Sequence, residues 1–132
     1  MSMFRYCFAL LFCAVLACQA LADEKRIALL IGNQDYPPEV GALTNTHQDV
    51  RTMEAALIDV GFETMPGFDL DEDGMEDAFD AFEARISEEA DAGHEVIAFF
   101  YYSGHGAAAY EDREARNYLI PARESLTAAS HI

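Results

Sequence analysis

The chain has 132 residues, with 24 Asp and Glu against 8 Lys and Arg, for a formal charge of −16. That length suits one domain with a modest core, and the charge argues against nucleic acid or an anionic membrane surface as a partner. An acidic, solubilising surface is the plainest meaning of the charge, and cationic partners or metal ions are compatible with it.

Residues 1–22 read as an export signal. Arg5 is the only charge before Asp23, and Tyr6 to Ala22 is apolar apart from Gln19. Ala20-Leu21-Ala22 forms an A-x-A cleavage site directly before Asp23-Glu24-Lys25-Arg26. The expected product is exported, periplasmic or secreted, and begins near Asp23; the apolar run is short for a spanning helix. A second reading competes with it. Val15-Leu16-Ala17-Cys18 loosely resembles a lipobox, which would leave Cys18 lipidated and the domain tethered to a membrane, although Leu16 is not the small residue usual there. Cys7, Cys13 and Cys18 all fall in this leader, so cleavage after Ala22 leaves no disulfide and no thiol nucleophile. The remaining residues carry all 24 acids against 7 Lys and Arg, a charge of −17.

Lys25 to Gly32 predicts a first strand, its Ile27-Ala28-Leu29-Leu30-Ile31 run continuously apolar as burial on both faces requires. Pro37-Pro38 forces an extended loop to about Asn45. A helix is expected from Thr46 to Val60, with Val50, Met53, Leu57 and Val60 as its apolar stripe and Gly61 as its stop. Phe62 to Met65 predicts a short strand ended by Pro66-Gly67. A second helix follows from about Asp73 to Glu89, where Met75, Phe79, Phe82 and Ile86 recur at core-packing spacing. Val96 to Tyr102 is a third, buried strand, and it stops at Ser103-Gly104-His105-Gly106. Ala107 to Arg116 reads as loop, and Asn117 to Pro121 as a short strand or edge segment.

The pattern β-α-β-α-β predicts an α/β three-layer sandwich with a mainly parallel sheet and flavodoxin-like connectivity. With strand order 2-1-3, a crevice is expected at the carboxyl ends of the first and third strands. The 33–45 loop and the Ser103–Gly106 turn would bound it. Glycines on both sides of His105 are expected to let the backbone turn sharply and display the imidazole at that edge. An incidental histidine in an ordinary turn is the bland alternative.

In order and spacing, these segments resemble the caspase-like cysteine peptidases, particularly the metacaspase and bacterial members. The resemblance runs from Arg26 to about Ala122. It rests on Arg26-Ile27-Ala28-Leu29-Leu30-Ile31-Gly32-Asn33 with Tyr36, on Asp49-Val50-Arg51-Thr52-Met53 with Leu57 and Gly61-Phe62, on Phe100 to Gly106, and on Asn117-Tyr118-Leu119-Ile120-Pro121. It implies a Cys–His dyad, in which a histidine activates a thiol and protonates the leaving amine while backbone N–H groups stabilise the oxyanion. His105 then matches the general base and acid, and Gly106 an oxyanion-hole donor. Ser103 and Asp49 match residues of the pocket for the side chain before the scissile bond. A carboxylate there suits a peptide or protein substrate with a basic residue; the Arg of Asp-specific caspases is missing from Thr44-Asn45-Thr46-His47-Gln48. Asp49 has an equally simple structural role, as the third residue of a helix capped by Thr46. Caspase-type sequences place the cysteine about 50 residues beyond the histidine, here near position 155. The chain is therefore expected to be the N-terminal portion of such a domain over 23–132, truncated and inactive alone. It could be a gene fragment or a stand-alone remnant, with an exposed sheet edge that favours self-association.

Asp69-Leu70-Asp71-Glu72-Asp73-Gly74 reproduces the first half of an EF-hand loop, and Asp80 would fill its twelfth position. Asp is a poorer bidentate ligand there than Glu, and a strand rather than a helix precedes the loop. Calcium binding by Asp69, Asp71, Asp73 and Asp80 stands against an acidic turn that caps the second helix. The dyad itself requires no cofactor, and a non-catalytic, calcium-dependent interaction module is the alternative function. His47, His94 and His131 show no ligand spacing and read as solvated or helix-start residues.

Overall fold

A computed structural model describes residues 23–111 and 114–124. Residues 1–22 with their three cysteines, on which the expected export signal and lipobox fall, and residues 125–132 with His131, lie outside the described residues. No described helix is long and apolar enough to cross a membrane.

The elements in chain order are β1 (Glu24–Gly32), α1 (Thr46–Asp59), β2 (Glu63–Phe68), α2 (Glu72–Asp91), β3 (Glu95–Ser103), β4 (Gly106–Glu111) and β5 (Glu114–Leu119). The first three strands form a parallel sheet of order β2-β1-β3, and the last two an antiparallel hairpin. The expected α/β layering is observed, and the strand order is the 2-1-3 on which the expected crevice depended.

β1 is the axis of the fold. Its side chains alternate between two apolar layers, the period-two rule of a strand covered on both faces. Ile27, Leu29 and Ile31 pack with Met75 and Phe82 of α2, supported by Phe79, Ile86, Val96 and Tyr102. Ala28 and Leu30 pack with Val50 and Leu57 of α1, supported by Met53, Phe62, Phe99 and Tyr101. The stripe expected on α2 is the observed one; on α1 it ends early, because Val60 is the C-cap and is exposed. Gly61 closes α1 with a φ of 85°, and Phe62 N–H donates back to Leu57 O at 2.9 Å, a Schellman closure that only an αL residue permits at little cost.

Four local expectations are corrected. β3 is not buried: it is an outer strand of its sheet among the described residues, and Ile97 and Phe100 on it are exposed. β2 runs through Pro66 and Gly67 to Phe68, pairing Leu30 with Pro66. β2 is an edge strand among the described residues, so a residue without N–H is tolerated on it. Ala107 to Arg116 is not loop: Gly106–Glu111 and Glu114–Leu119 pair as a hairpin. Thr46 is not the N-cap. Asn45 occupies that position without a side-chain cap, and Thr46 is the first helical residue, buried against the sheet.

Candidate functional site at the carboxyl edge of the sheet

Three segments meet beyond the carboxyl ends of β1 and β3: the 33–45 loop, the first turn of α1, and the turn from Ser103 to Gly106. The β1 ladder continues past the strand, with Asn33 N–H donating to Ser103 O at 2.9 Å. This rung fixes the start of the loop beside the turn. Asn33 itself is fully buried, and its side chain holds the end of β2. Its Nδ2 donates to Leu70 O at 3.1 Å, and its Oδ1 accepts from Leu70 N–H at 2.9 Å. Such a reciprocal pair satisfies two backbone groups that no strand reaches.

Asp69 performs a parallel task from the left-handed region, at φ 50°. Its Oδ1 accepts from Gln34 N–H at 2.8 Å and Asp35 N–H at 3.0 Å, while Oδ2 meets His47 Nε2 at 2.9 Å. Burial opposes ionisation of this carboxyl, but the two backbone donors and His47 outweigh it and hold the group below its ordinary value. His47 is the helix-start residue that the sequence allowed, second in α1, and it packs edge-on against Phe68 with centroids 5.0 Å apart. His94, also read as solvated or helix-start, instead stands between α2 and β3, with Nδ1 2.6 Å from Glu89 at the opposite end of the sheet.

The loop also shapes the surroundings of His105. Gly41 has a φ of 93°, open to glycine and strained for other residues, and its carbonyl oxygen lies 2.7 Å from His105 Nε2. A carbonyl only accepts, so in the neutral ring Nε2 carries the proton and Nδ1 is the basic nitrogen. The ring of Tyr36 stands edge-on to the imidazole, centroids 4.6 Å apart.

The glycine before the histidine is needed for a different reason from the one expected. Neither Gly104 nor Gly106 takes a positive φ. A Cβ on Gly104 would lie 2.7 Å from the Tyr36 hydroxyl and closer still to that of Tyr102, so space requires glycine there. At Gly106 the hairpin begins. Ile120 N–H donates to His105 O at 3.0 Å, which makes the next pair, Gly106 and Leu119, a non-hydrogen-bonded one. The Gly106 N–H therefore points away from β5.

Next to this turn is a pocket of about 320 Å³, walled by the 42–46 segment, Asp49, Ser103 and Gly104. Ser103 Oγ donates to Asp49 Oδ2 at 3.0 Å. Asp49 lies in the first turn of α1 and faces the pocket. His105, Gly106, Ser103 and Asp49, drawn together by sequence, are gathered at one edge.

The four EF-hand carboxylates are not gathered. Asp69 is committed to Gln34, Asp35 and His47, and Asp71 is the N-cap of α2, accepting from Gly74 N–H at 3.0 Å. Asp73 falls in the first turn of that helix, where it complements the dipole, and Asp80 sits farther along it. Among the described residues no group of three or more His, Cys, Asp or Glu side chains is placed to hold a metal ion.

Sequence reasoning missed Asn33, Asp69 and His47 as organisers of the crevice, and it singled out Tyr36 only as part of a motif. No local sequence pattern marked them; the positive φ of Asp69 is visible only in the structure.

The caspase-domain family model matches residues 25–131. No curated protein matches the chain, and no solved structure does. The match takes in both described helices, the described strands from Lys25 onward and the crevice just described, and the parallel β2-β1-β3 sheet with a helix on each face agrees with it. The chain belongs to the caspase-domain family, the cysteine-type peptidases.

Proposed function

We propose that this chain carries the histidine half of an exported caspase-like cysteine endopeptidase with a preference for a basic residue before the scissile bond. The observation that carries the reading is the contact of His105 Nε2 with Gly41 O, which leaves Nδ1 as the ring's basic nitrogen. In this reading His105 Nδ1 takes the proton of a thiol and returns it to the leaving amine, and the Gly106 N–H faces the developing oxyanion. Asp49, oriented by Ser103, offers a carboxylate to a guanidinium or ammonium entering the pocket. No thiol follows Cys18 in the sequence, so these residues supply no nucleophile and the chain given is inactive by itself.

The test has two arms. Fluorogenic peptides ending in Arg, Lys or Asp are incubated with the chain, and amide shifts are followed during titration with acetyl-arginine amide and acetyl-aspartate amide. The reading expects no turnover, and shifts at Asp49, Ser103 and Gly104 with the arginine ligand alone. Hydrolysis that disappears in His105→Ala would overturn the inactivity, and equal response to both ligands would overturn the basic pocket.

Self-association is a second element of the proposal. β3 is the outer strand of the three-stranded sheet among the described residues, and Ile97 and Phe100 on it are 40% and 39% exposed. An unpaired edge with apolar side chains invites a second copy. Charge repulsion opposes it, so dimer formation should strengthen with salt. Sedimentation velocity that shows a monomer at every salt concentration would refute it.

A further inference from the structure

The first rung of the hairpin is incomplete in a way that links it to the imidazole. In a regular antiparallel pair, His105 and Ile120 would exchange two hydrogen bonds. One of them forms, from Ile120 N–H to His105 O at 3.0 Å. The other is opened, and a tyrosine hydroxyl stands in the gap. His105 N–H donates to Tyr36 Oη at 3.1 Å, and Tyr36 O–H donates to Ile120 O at 3.0 Å.

That hydroxyl comes from a segment 69 residues earlier, and Tyr36 as a residue is 5% exposed. Tyr102 supports the arrangement from the strand side. Its hydroxyl lies 3.0 Å from that of Tyr36, 2.8 Å from Ile120 O and 3.0 Å from His105 O. Burial, with the contact to Tyr36, keeps the Tyr102 phenol well above its ordinary pKa, so it remains a neutral donor. Gly104 lies close over both hydroxyls, leaving no room for a side chain.

We propose that Tyr36 is a positioning residue for His105. The main chain of His105 is clamped by the Tyr36 hydroxyl, one edge of its ring meets the Tyr36 ring, and Nε2 meets Gly41 O from the same loop. Tyr36 and Gly41 therefore act together: the first fixes where the ring starts, the second fixes which nitrogen holds the proton. With the clamp gone, the His105 backbone can swing within the widened rung, Nε2 leaves Gly41 O, and the tautomer is no longer selected. The inference rests on the reading of His105 as the base, and Tyr36 reaches the reaction only through it.

The test is long-range ¹H–¹⁵N correlation of the His105 ring, with amide exchange at His105, in the full chain and in Tyr36→Phe. The phenylalanine keeps the ring contact and removes only the hydroxyl. In the parent, the Nε2–H form should dominate; in Tyr36→Phe the two tautomers should mix, and the His105 amide should exchange about tenfold faster. Unchanged tautomer and exchange in Tyr36→Phe would overturn the proposal. If Tyr36→Phe loses its native spectrum, Gly104→Ala approaches the same hydroxyls from the other side, and a parent-like ring signal there would overturn it equally. A parent that already holds Nδ1–H would sink His105 as the base, while the difference between parent and variant would still decide the role of Tyr36.

Discussion

Ser103 Oγ donates to Asp49 Oδ2 at 3.0 Å, joining the end of β3 to the first turn of α1 across 54 residues of chain. The bond orients the carboxylate that walls the pocket, and it lies in an exposed position where it adds little to stability. Asp49→Asn should leave the thermal midpoint nearly unchanged. The same substitution should weaken binding of acetyl-arginine amide by roughly ten- to a hundredfold, the worth of one charge-assisted hydrogen bond. Calorimetric titration of parent and variant checks both, and an unaltered affinity would remove Asp49 from the pocket's chemistry.

Gly32 is the contact point between β1 and α1. A Cβ there would lie 2.8 Å from Val50 Cγ2 and 3.0 Å from Thr46 O, and the second of these is backbone that cannot rotate aside. Gly32→Ala should therefore destabilise the chain by about 1–3 kcal/mol as an overpacked core position. Urea unfolding at constant slope is the measurement, and a gain in stability would contradict the packing described.

Asn33→Ala removes a fully buried amide and leaves the Leu70 N–H without its partner, at a cost of about 1–3 kcal/mol, while the Leu70 C=O keeps the Ala122 N–H at 2.7 Å. Replacement by Asp keeps the acceptor for Leu70 N–H and places a carboxylate oxygen against Leu70 O, so it should rescue little. Chemical denaturation of the two variants tests the pair, and a loss under about 0.5 kcal/mol in Asn33→Ala would refute it.

Asp69 gives a pH dependence whose sign is fixed. Its folded carboxyl titrates below the unfolded one, so it contributes stability that is fully present above the ordinary Asp range near about 4 and is lost as pH falls through the folded value. Asp69→Asn should be less stable than the parent at neutral pH, and the gap should shrink in acid. Urea midpoints of both proteins from neutral to about pH 3 measure it; a gap that widens on acidification would reverse the assignment.

The parts of this fold that were legible in the sequence are those governed by period and by covering. Ile27 to Ile31 must be buried on both faces whatever lies beside it, and Met75, Phe79, Phe82 and Ile86 can share one face only on a helix. From such segments the β-α-β-α-β pattern and its parallel sheet followed, and the place of the crevice followed on the condition of a 2-1-3 order, which handedness alone does not select because the sequence leaves open which face each helix covers. The hairpin was not legible, because Gly-Ala-Ala-Ala carries neither alternation nor β-branching. Pro66 misled because a proline reports a missing donor but not whether its strand lies at an edge. Asp69 and Tyr36 were opaque for another reason: each acts on backbone groups more than thirty residues away, and no local pattern encodes such a bond.

The bridged rung at His105 also bears on when the site exists. Its partners are separated by 64, 69 and 84 residues of chain, from Gly41 to His105, Tyr36 to His105 and Tyr36 to Ile120. Contacts of such span form only after the strands between them have found their places, and they are costly in loop entropy until then. An isolated peptide that carries the glycine-flanked histidine would thus have its sequence signature and none of its geometry. The orientation of a single imidazole becomes a report on the completed topology, switched on last in folding and surrendered first when the sheet and its loop begin to part.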